Sequence, residues 1–158
     1  MERTDRLVHV QLDEKTTVRR RPEVEHERAV AIYDLIEDNV FALTSGARGP
    51  YTLHLRPVGL DRLIMDVRSE AGDPLEEVPL PLKPFQKIIK DYFMVCESYY
   101  DSIRSCTPSQ IEALDMGRRG LHNEGSELLS QLIEQKIDID FDTARRLFTL
   151  VCVLHIKG

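Results

Sequence analysis

The sequence predicts an α+β fold, a small antiparallel sheet of about four strands packed against a helical C-terminal half. Three observations carry this. Apolar residues alternate with polar ones in short stretches of the first 80 residues; two glycine-centred turns between residues 51 and 80 join such stretches as hairpins; and from residue 84 the apolar spacing lengthens to threes and fours. The chain has 158 residues, 42% of them hydrophobic, close to the usual size of one domain with a sizeable core, so residues 1–158 are read as a single globular domain.

In chain order, Val8, Val10 and Leu12 alternate with His9 and Gln11, giving a strand over 6–12. After a charged linker, Pro22 stands at a first helical position, Glu23, Glu25 and Glu27 load the early turns, and Ala29, Ile32, Tyr33, Ile36 and Val40 follow at helical spacing, so a helix is expected over 22–38. Residues 44–50 read as a loop, and Tyr51, Leu53 and Leu55 open the second strand. Gly59 turns the chain into Leu63, Met65 and Val67, and Gly72 turns it into an arm over 75–80. Pro79 and Pro81 place that arm at a sheet edge or end it, because proline donates nothing to a ladder.

Phe85, Ile89, Tyr92, Cys96, Tyr99 and Ile103 define the longest clear helix, over 84–104, expected to pack against the sheet. Thr107-Pro108-Ser109-Gln110 combines an N-cap, a first-turn proline and the glutamine of a capping box, so a new helix begins there. Its core stripe is read as Leu114, Leu121, Leu128 and Leu132, with Gly117 and Gly125 allowing close approach. Residues 136–141 alternate as a short extra strand, and Asp142 is the expected cap of a last helix over 143–155. That segment is apolar almost all round and belongs in the centre of the fold.

Charge bounds the function. With 21 basic and 27 acidic side chains the formal net charge is −6, which argues against broad attraction to nucleic acid or anionic membranes. The charged N-terminus lacks a secretory signal pattern, and the longest apolar stretch, 147–156, is far short of a membrane span. Cys96, Cys106 and Cys152 show no paired spacing, which suits a reducing compartment, and the chain is read as cytoplasmic. If any thiol were chemically active, Cys106 beside the helix start at Thr107 would be best placed. No cofactor motif is found. The histidines include no His-x-x-x-His pair, so no metal site is assigned.

Four stretches resemble a known family: Val24 to Ile32, Lys90 to Tyr100, Gly117 to Gly125 and Asp140 to Phe148. Through them the chain is similar, over nearly its whole length, to uncharacterised protein family two-six-two of the alphaproteobacteria. The resemblance implies a bacterial cytoplasmic protein and carries no catalytic residue, ligand or cofactor with it.

The densest polar cluster is Gly117 to Gly125. There Arg118, Arg119, His122, Asn123 and Glu124 form a candidate anion-binding segment, since guanidinium offers paired donors to phosphate or carboxylate. The bland alternative is a charged helix flank with packing glycines. Asp115, Arg119, His122 and Ser126 would share one face of a straight helix, whereas a break near Asn123 would bring Glu124 toward the same site. The pairs Arg118-Arg119 and Arg145-Arg146, with Arg19-Arg20-Arg21, could converge on a phosphate, although acidic neighbours offer each a local salt bridge. The leading expectation is a non-catalytic binding or regulatory module contacting a protein partner or a small anionic ligand. The alternative is a small hydrolase or transferase centred on His122, and a homodimer stays open.

Overall fold

The computed structural model describes residues 4–13, 22–59 and 61–155. Arg19-Arg20-Arg21 lie outside the described residues. The elements run β1 (Leu7–Leu12), α1 (Pro22–Glu37), β2 (Phe41–Leu43), β3 (Tyr51–Val58), β4 (Arg62–Ser69), β5 (Pro74–Pro81), a 3-10 turn (Lys83–Phe85), α2 (Gln86–Ser102), α3 (Pro108–Ile133), β6 (Ile137–Ile139) and α4 (Phe141–His155).

The α+β class holds. The four-stranded sheet has the order β1-β3-β4-β5, with β3, β4 and β5 antiparallel as the two hairpins require. Gly59 (φ 64°) and Gly72 (φ 97°) supply the left-handed backbone those turns need. The sheet is mixed rather than wholly antiparallel, because β1 pairs with β3 in parallel. A parallel pair needs a long connection, and α1 with β2 provides it. Asn39 ties this connection down: its Oδ1 accepts from Leu7 N at 2.7 Å and its Nδ2 donates to Leu7 O at 3.0 Å. One buried amide thus stands in for a neighbouring strand at the start of β1. β5 is an edge, as its prolines imply, with Pro79 opposite Ile64 and Pro81 opposite Arg62.

A second, two-stranded sheet pairs β2 with β6 antiparallel. Its later arm matches the alternation over 136–141, whereas Phe41–Leu43 shows no strand signal in three residues.

The inward sheet face (Leu53, Leu55, Leu63, Met65, Val67) shares one core with Phe85 and Ile89, Leu129 and Ile133, and Leu147, Phe148 and Val151. α4 is central, packing on both α1 and α3; α2 packs mainly on α3 rather than against the sheet as expected, and Ile89 of α2, with Phe85 of the preceding 3-10 turn, joins the core shared with the sheet. Among the described residues, no helix is long and apolar enough to cross a membrane.

Three details of the helix reading are corrected. Among the described side chains of α1 the buried ones are Ala31 and Leu35, while Tyr33 is 65% exposed, and Val40 lies past the helix end. In α3 the buried stripe is Gly125, Ser126, Leu129 and Ile133, roughly a quarter turn from the leucines, which flank it, and Leu132 is exposed. The fold is fixed at Gly125, where a Cβ would run into the Phe148 ring; Gly117 has only ordinary room and Gly120 faces open space. The cap of α4 is Asp140, whose Oδ1 accepts from Thr143 N at 2.9 Å, and Asp142 falls inside the first turn.

Candidate functional site

A cavity of about 420 Å³ opens between α1, α3 and α4. Each helix lines it with one stripe at three- and four-residue spacing. His26, Glu27, Val30, Ala31 and Asp34 come from α1; Arg118, Arg119 and His122 from α3; Asp142, Arg145, Arg146 and Thr149 from α4. Tyr92 of α2 completes the lining.

The helix ends are held by polar links. Thr107 and Gln110 form the expected capping box at the start of α3, with Gln110 N donating to Thr107 Oγ1 at 3.3 Å and Thr107 N to Gln110 Oε1 at 3.0 Å. Arg146 donates to Asp38 O at 2.7 Å, and Thr143 Oγ1 accepts from Val40 N at 3.0 Å, fastening the end of α1 to α4.

The arginines differ in how far they are engaged. Arg118, with a quarter of its side chain exposed, donates to Asp115 at 2.6 Å, lies 3.9 Å from Glu27 and sets its guanidinium 5.0 Å from the Tyr99 ring centre. Arg119 is 68% exposed and reaches Asp115 at 2.7 Å. Arg145 stands 3.9 Å from Asp142. A guanidinium carries five N–H donors, so Arg119, Arg145 and Arg146 keep most of theirs for an occupant. Asp115 is held below its usual carboxylate range, chiefly by the Arg118 hydrogen bond. Glu27, half-buried, accepts from Tyr100 Oη at 2.6 Å, and burial with that bond raises the Tyr100 phenol well above its usual value. The acidic helix start is thus exposed at Glu25 and His26 but turned inward at Glu27.

His122 belongs to the cavity and to the core at once. Its ring packs 5.2 Å from Phe148 and 5.5 Å from Tyr92, centre to centre, and Nε2 lies 2.8 Å from Thr149 Oγ1. The Thr149 hydroxyl donates to Arg145 O at 3.2 Å, which leaves its oxygen to accept from Nε2–H and assigns the lone pair to Nδ1. Nδ1 and Arg118 Nε are buried without a hydrogen-bond partner among the described residues. Burial, then the Arg145 and Arg118 charges, push the imidazole pKa down to about 4, so His122 is neutral at pH 7 and adds no charge to the cavity.

The structure therefore brings Arg118, Arg119 and His122 together with Arg145 and Arg146, two arginine pairs that sequence spacing lists but cannot join. Asn123 and Glu124 are exposed and do not line the cavity, because α3 runs unbroken from Pro108 to Ile133. The face of Asp115, Arg119, His122 and Ser126 exists, but it joins no acid, base and nucleophile: Asp115 pairs with Arg118 and Arg119, His122 Nε2 with Thr149, and Ser126, fully buried, donates to the His122 backbone O at 2.7 Å. His26, Glu27, Asp34, Asp142 and Thr149 were not anticipated; the 26, 30, 34 spacing on α1 is the signal that could have marked the first wall.

Cys96 and Cys152 are buried free thiols; burial lifts Cys96 to about 11 and raises Cys152 well above its usual value. Among the described residues no group of three or more His, Cys, Asp or Glu side chains is arranged to hold a metal ion.

The model of a family described as "Uncharacterised protein family (UPF0262)" matches residues 4–157. The chain is 62% identical over 158 residues to UPF0262 protein amb3341 of Paramagnetospirillum magneticum, covering all of both chains. It is 59% identical over 155 residues to UPF0262 protein Rru_A2770 of Rhodospirillum rubrum, covering 98% of this chain and 95% of that one. A UPF0262 protein of Rhodopseudomonas palustris strain BisB18 is 56% identical over 152 residues, covering 96% of this chain and 93% of that one. No solved structure matches.

Proposed function

Since the chain belongs to the uncharacterised protein family UPF0262, whose description names no activity, we propose from geometry that it is a non-catalytic binding or regulatory module taking a small anionic ligand between α1, α3 and α4. One observation carries this reading: four guanidiniums from two helices line one cavity, and three of them retain unspent donors. The volume of about 420 Å³ is at the lower end of small-molecule pockets, which favours a compact ligand over a large partner surface. A carboxylate on a protein partner would meet the same donors. The free cysteines support a reducing, cytoplasmic setting for this binding.

A hydrolase or transferase centred on His122 gains less support. The histidine spends Nε2 on Thr149, its Nδ1 is enclosed, and the serine on its face is sealed in the core. General acid–base work needs a group within reach of substrate.

The test is thermal unfolding of the full chain with inorganic phosphate, sulfate and citrate. A ligand at about 100 times its Kd adds about 2.7 kcal/mol, a rise of roughly 5–10 °C for a domain of this size. Arg119→Ala and Arg145→Ala should each shrink that rise while leaving the unliganded transition near its original temperature. No rise with any anion would contradict the reading.

A further inference from the structure

The cavity is not uniformly basic. Its four guanidiniums face three lining carboxylates, Glu27, Asp34 and Asp142, and a fourth, Asp115, sits behind Arg118 and Arg119. Charge in the cavity is therefore balanced, and it is partly sorted: the α1 wall contributes Glu27 and Asp34 and no lysine or arginine, while all four guanidiniums come from α3 and α4, where Asp115 and Asp142 already pair with them. A cavity built for a bare anion would gain nothing from an acidic wall, since like charge repels the ligand and raises the cost of its desolvation.

The two acidic groups on that wall differ. Glu27 is committed to Tyr100 Oη and lies near Arg118. Asp34 lines the cavity and is partly buried, and its carboxylate makes no hydrogen bond or ion pair among the described residues. On the α3 and α4 walls, Arg119, Arg145 and Arg146 carry unspent donors. Val30 and Ala31 on the α1 wall and the Tyr92 ring of α2 supply apolar surface.

We propose that the ligand is a small zwitterion, with its phosphate or carboxylate held by Arg119 and Arg145 and its ammonium group held by Asp34. This deepens the anion-binding reading above and rests on it. The amine supplies the counter-charge that Asp34 lacks, and the acid uses the donors that the arginines keep. A short aliphatic spacer fits against Val30 and Ala31. Selectivity follows from the same arrangement: a ligand without the amine leaves Asp34 facing an occupied cavity with its charge uncompensated.

Calorimetric titration of the full chain with matched ligand pairs separates this from plain anion binding. Ethyl phosphate against phosphoethanolamine and butyrate against 4-aminobutyrate differ only in the amine. The amine-bearing member of at least one pair should bind about tenfold more tightly, the size of a single well-formed charged contact. Asp34→Asn should abolish that advantage by weakening the amine-bearing member while the amine-free member binds as well or more tightly, and Arg119→Ala should weaken both members. Equal affinity within both pairs, or an advantage that survives Asp34→Asn, would overturn the zwitterion assignment and leave the anion site standing. If no member of either pair binds, the anion site falls with it.

Discussion

The two halves of α3 share one helix and have opposite surroundings. From Gly125 to Ile133 the helix is seated on the core, with Gly125 against the Phe148 ring and Leu129 and Ile133 buried. From Pro108 to Leu121 no residue is buried, and the side chains that count there are Asp115, Arg118 and Arg119. His122 stands at the boundary, packed on Phe148 and open to the arginines' field. The packed half fixes the axis and rotation of the helix, and the free half is thereby aimed across the cavity at α1 and α4. Binding groups placed on a rigid element need no ordering of their own when a ligand arrives.

The sharpest way to break this comparison is to remove what the packed half rests on. Deleting the chain from Thr143 onward takes away Leu147, Phe148, Leu150, Val151 and Cys152, all buried. The lost burial, at roughly 1.5–3 kcal/mol per large side chain, comes to about 7–15 kcal/mol, as much as the ~5–15 kcal/mol that holds a typical domain. The truncated chain should show no cooperative unfolding transition by circular dichroism; a transition near the full-length temperature would mean that α4 is dispensable.

Two glycines five residues apart on α3 sharpen it further. Gly125→Ala should destabilise by about 1–3 kcal/mol, because its Cβ meets the Phe148 ring. Gly120→Ala should stabilise by roughly 0.5–1 kcal/mol, because Gly120 faces open space in a helix interior. Urea melts of both variants read this directly, and changes of the same sign would erase the distinction between the halves.

At the boundary, acid should act through His122. Its folded pKa of about 4 lies below the ~6.5 of a free histidine, so the unfolded chain binds the extra proton between those values. Stability from keeping His122 neutral is then full above about pH 6.5 and is lost as pH falls toward 4, a change of about 3 kcal/mol. The lowered pKa of Asp115 adds its own loss only further down, as pH falls below the ordinary carboxylate range. Equilibrium unfolding of His122→Gln between pH 7 and 4.5 should show a flatter slope than wild type. Parallel slopes would place the imidazole in contact with water.

Much of this was legible because it is local. The capping box at Thr107 needs four consecutive residues, and the apolar stripe of α2 needs only helical spacing; both stand as read, apart from Ile103, 54% exposed just past the last turn. The hairpins at Gly59 and Gly72 follow from alternation plus a glycine. What sequence spacing could not show is non-local. β2 is three residues long and pairs with β6 almost a hundred residues away, and β1 joins the sheet in parallel through a crossover and Asn39. In α3 four leucines outweigh a glycine, a serine, a leucine and an isoleucine as an apolar pattern, yet Gly125 and Ser126 are what a neighbouring ring can approach. The arginine pairs were visible as chemistry; their convergence depends on α3 and α4 packing together. Asn123 and Glu124 were drawn in by an expected helix break, which the continuous helix does not contain.

The smallest expected effect on stability falls on the exposed half. Arg119→Ala should change the unfolding free energy by less than about 1 kcal/mol, since the exposed pair with Asp115 is worth little. The central claim is that this half exists to bind, and side-chain NMR tests it most directly. Titrating phosphate into protein labelled with nitrogen-15 should shift the Arg119 and Arg145 Nε–H resonances saturably and together, leaving the side-chain amide of Asn123 unmoved. Shifts absent from both arginines, or concentrated at Asn123, would contradict the account.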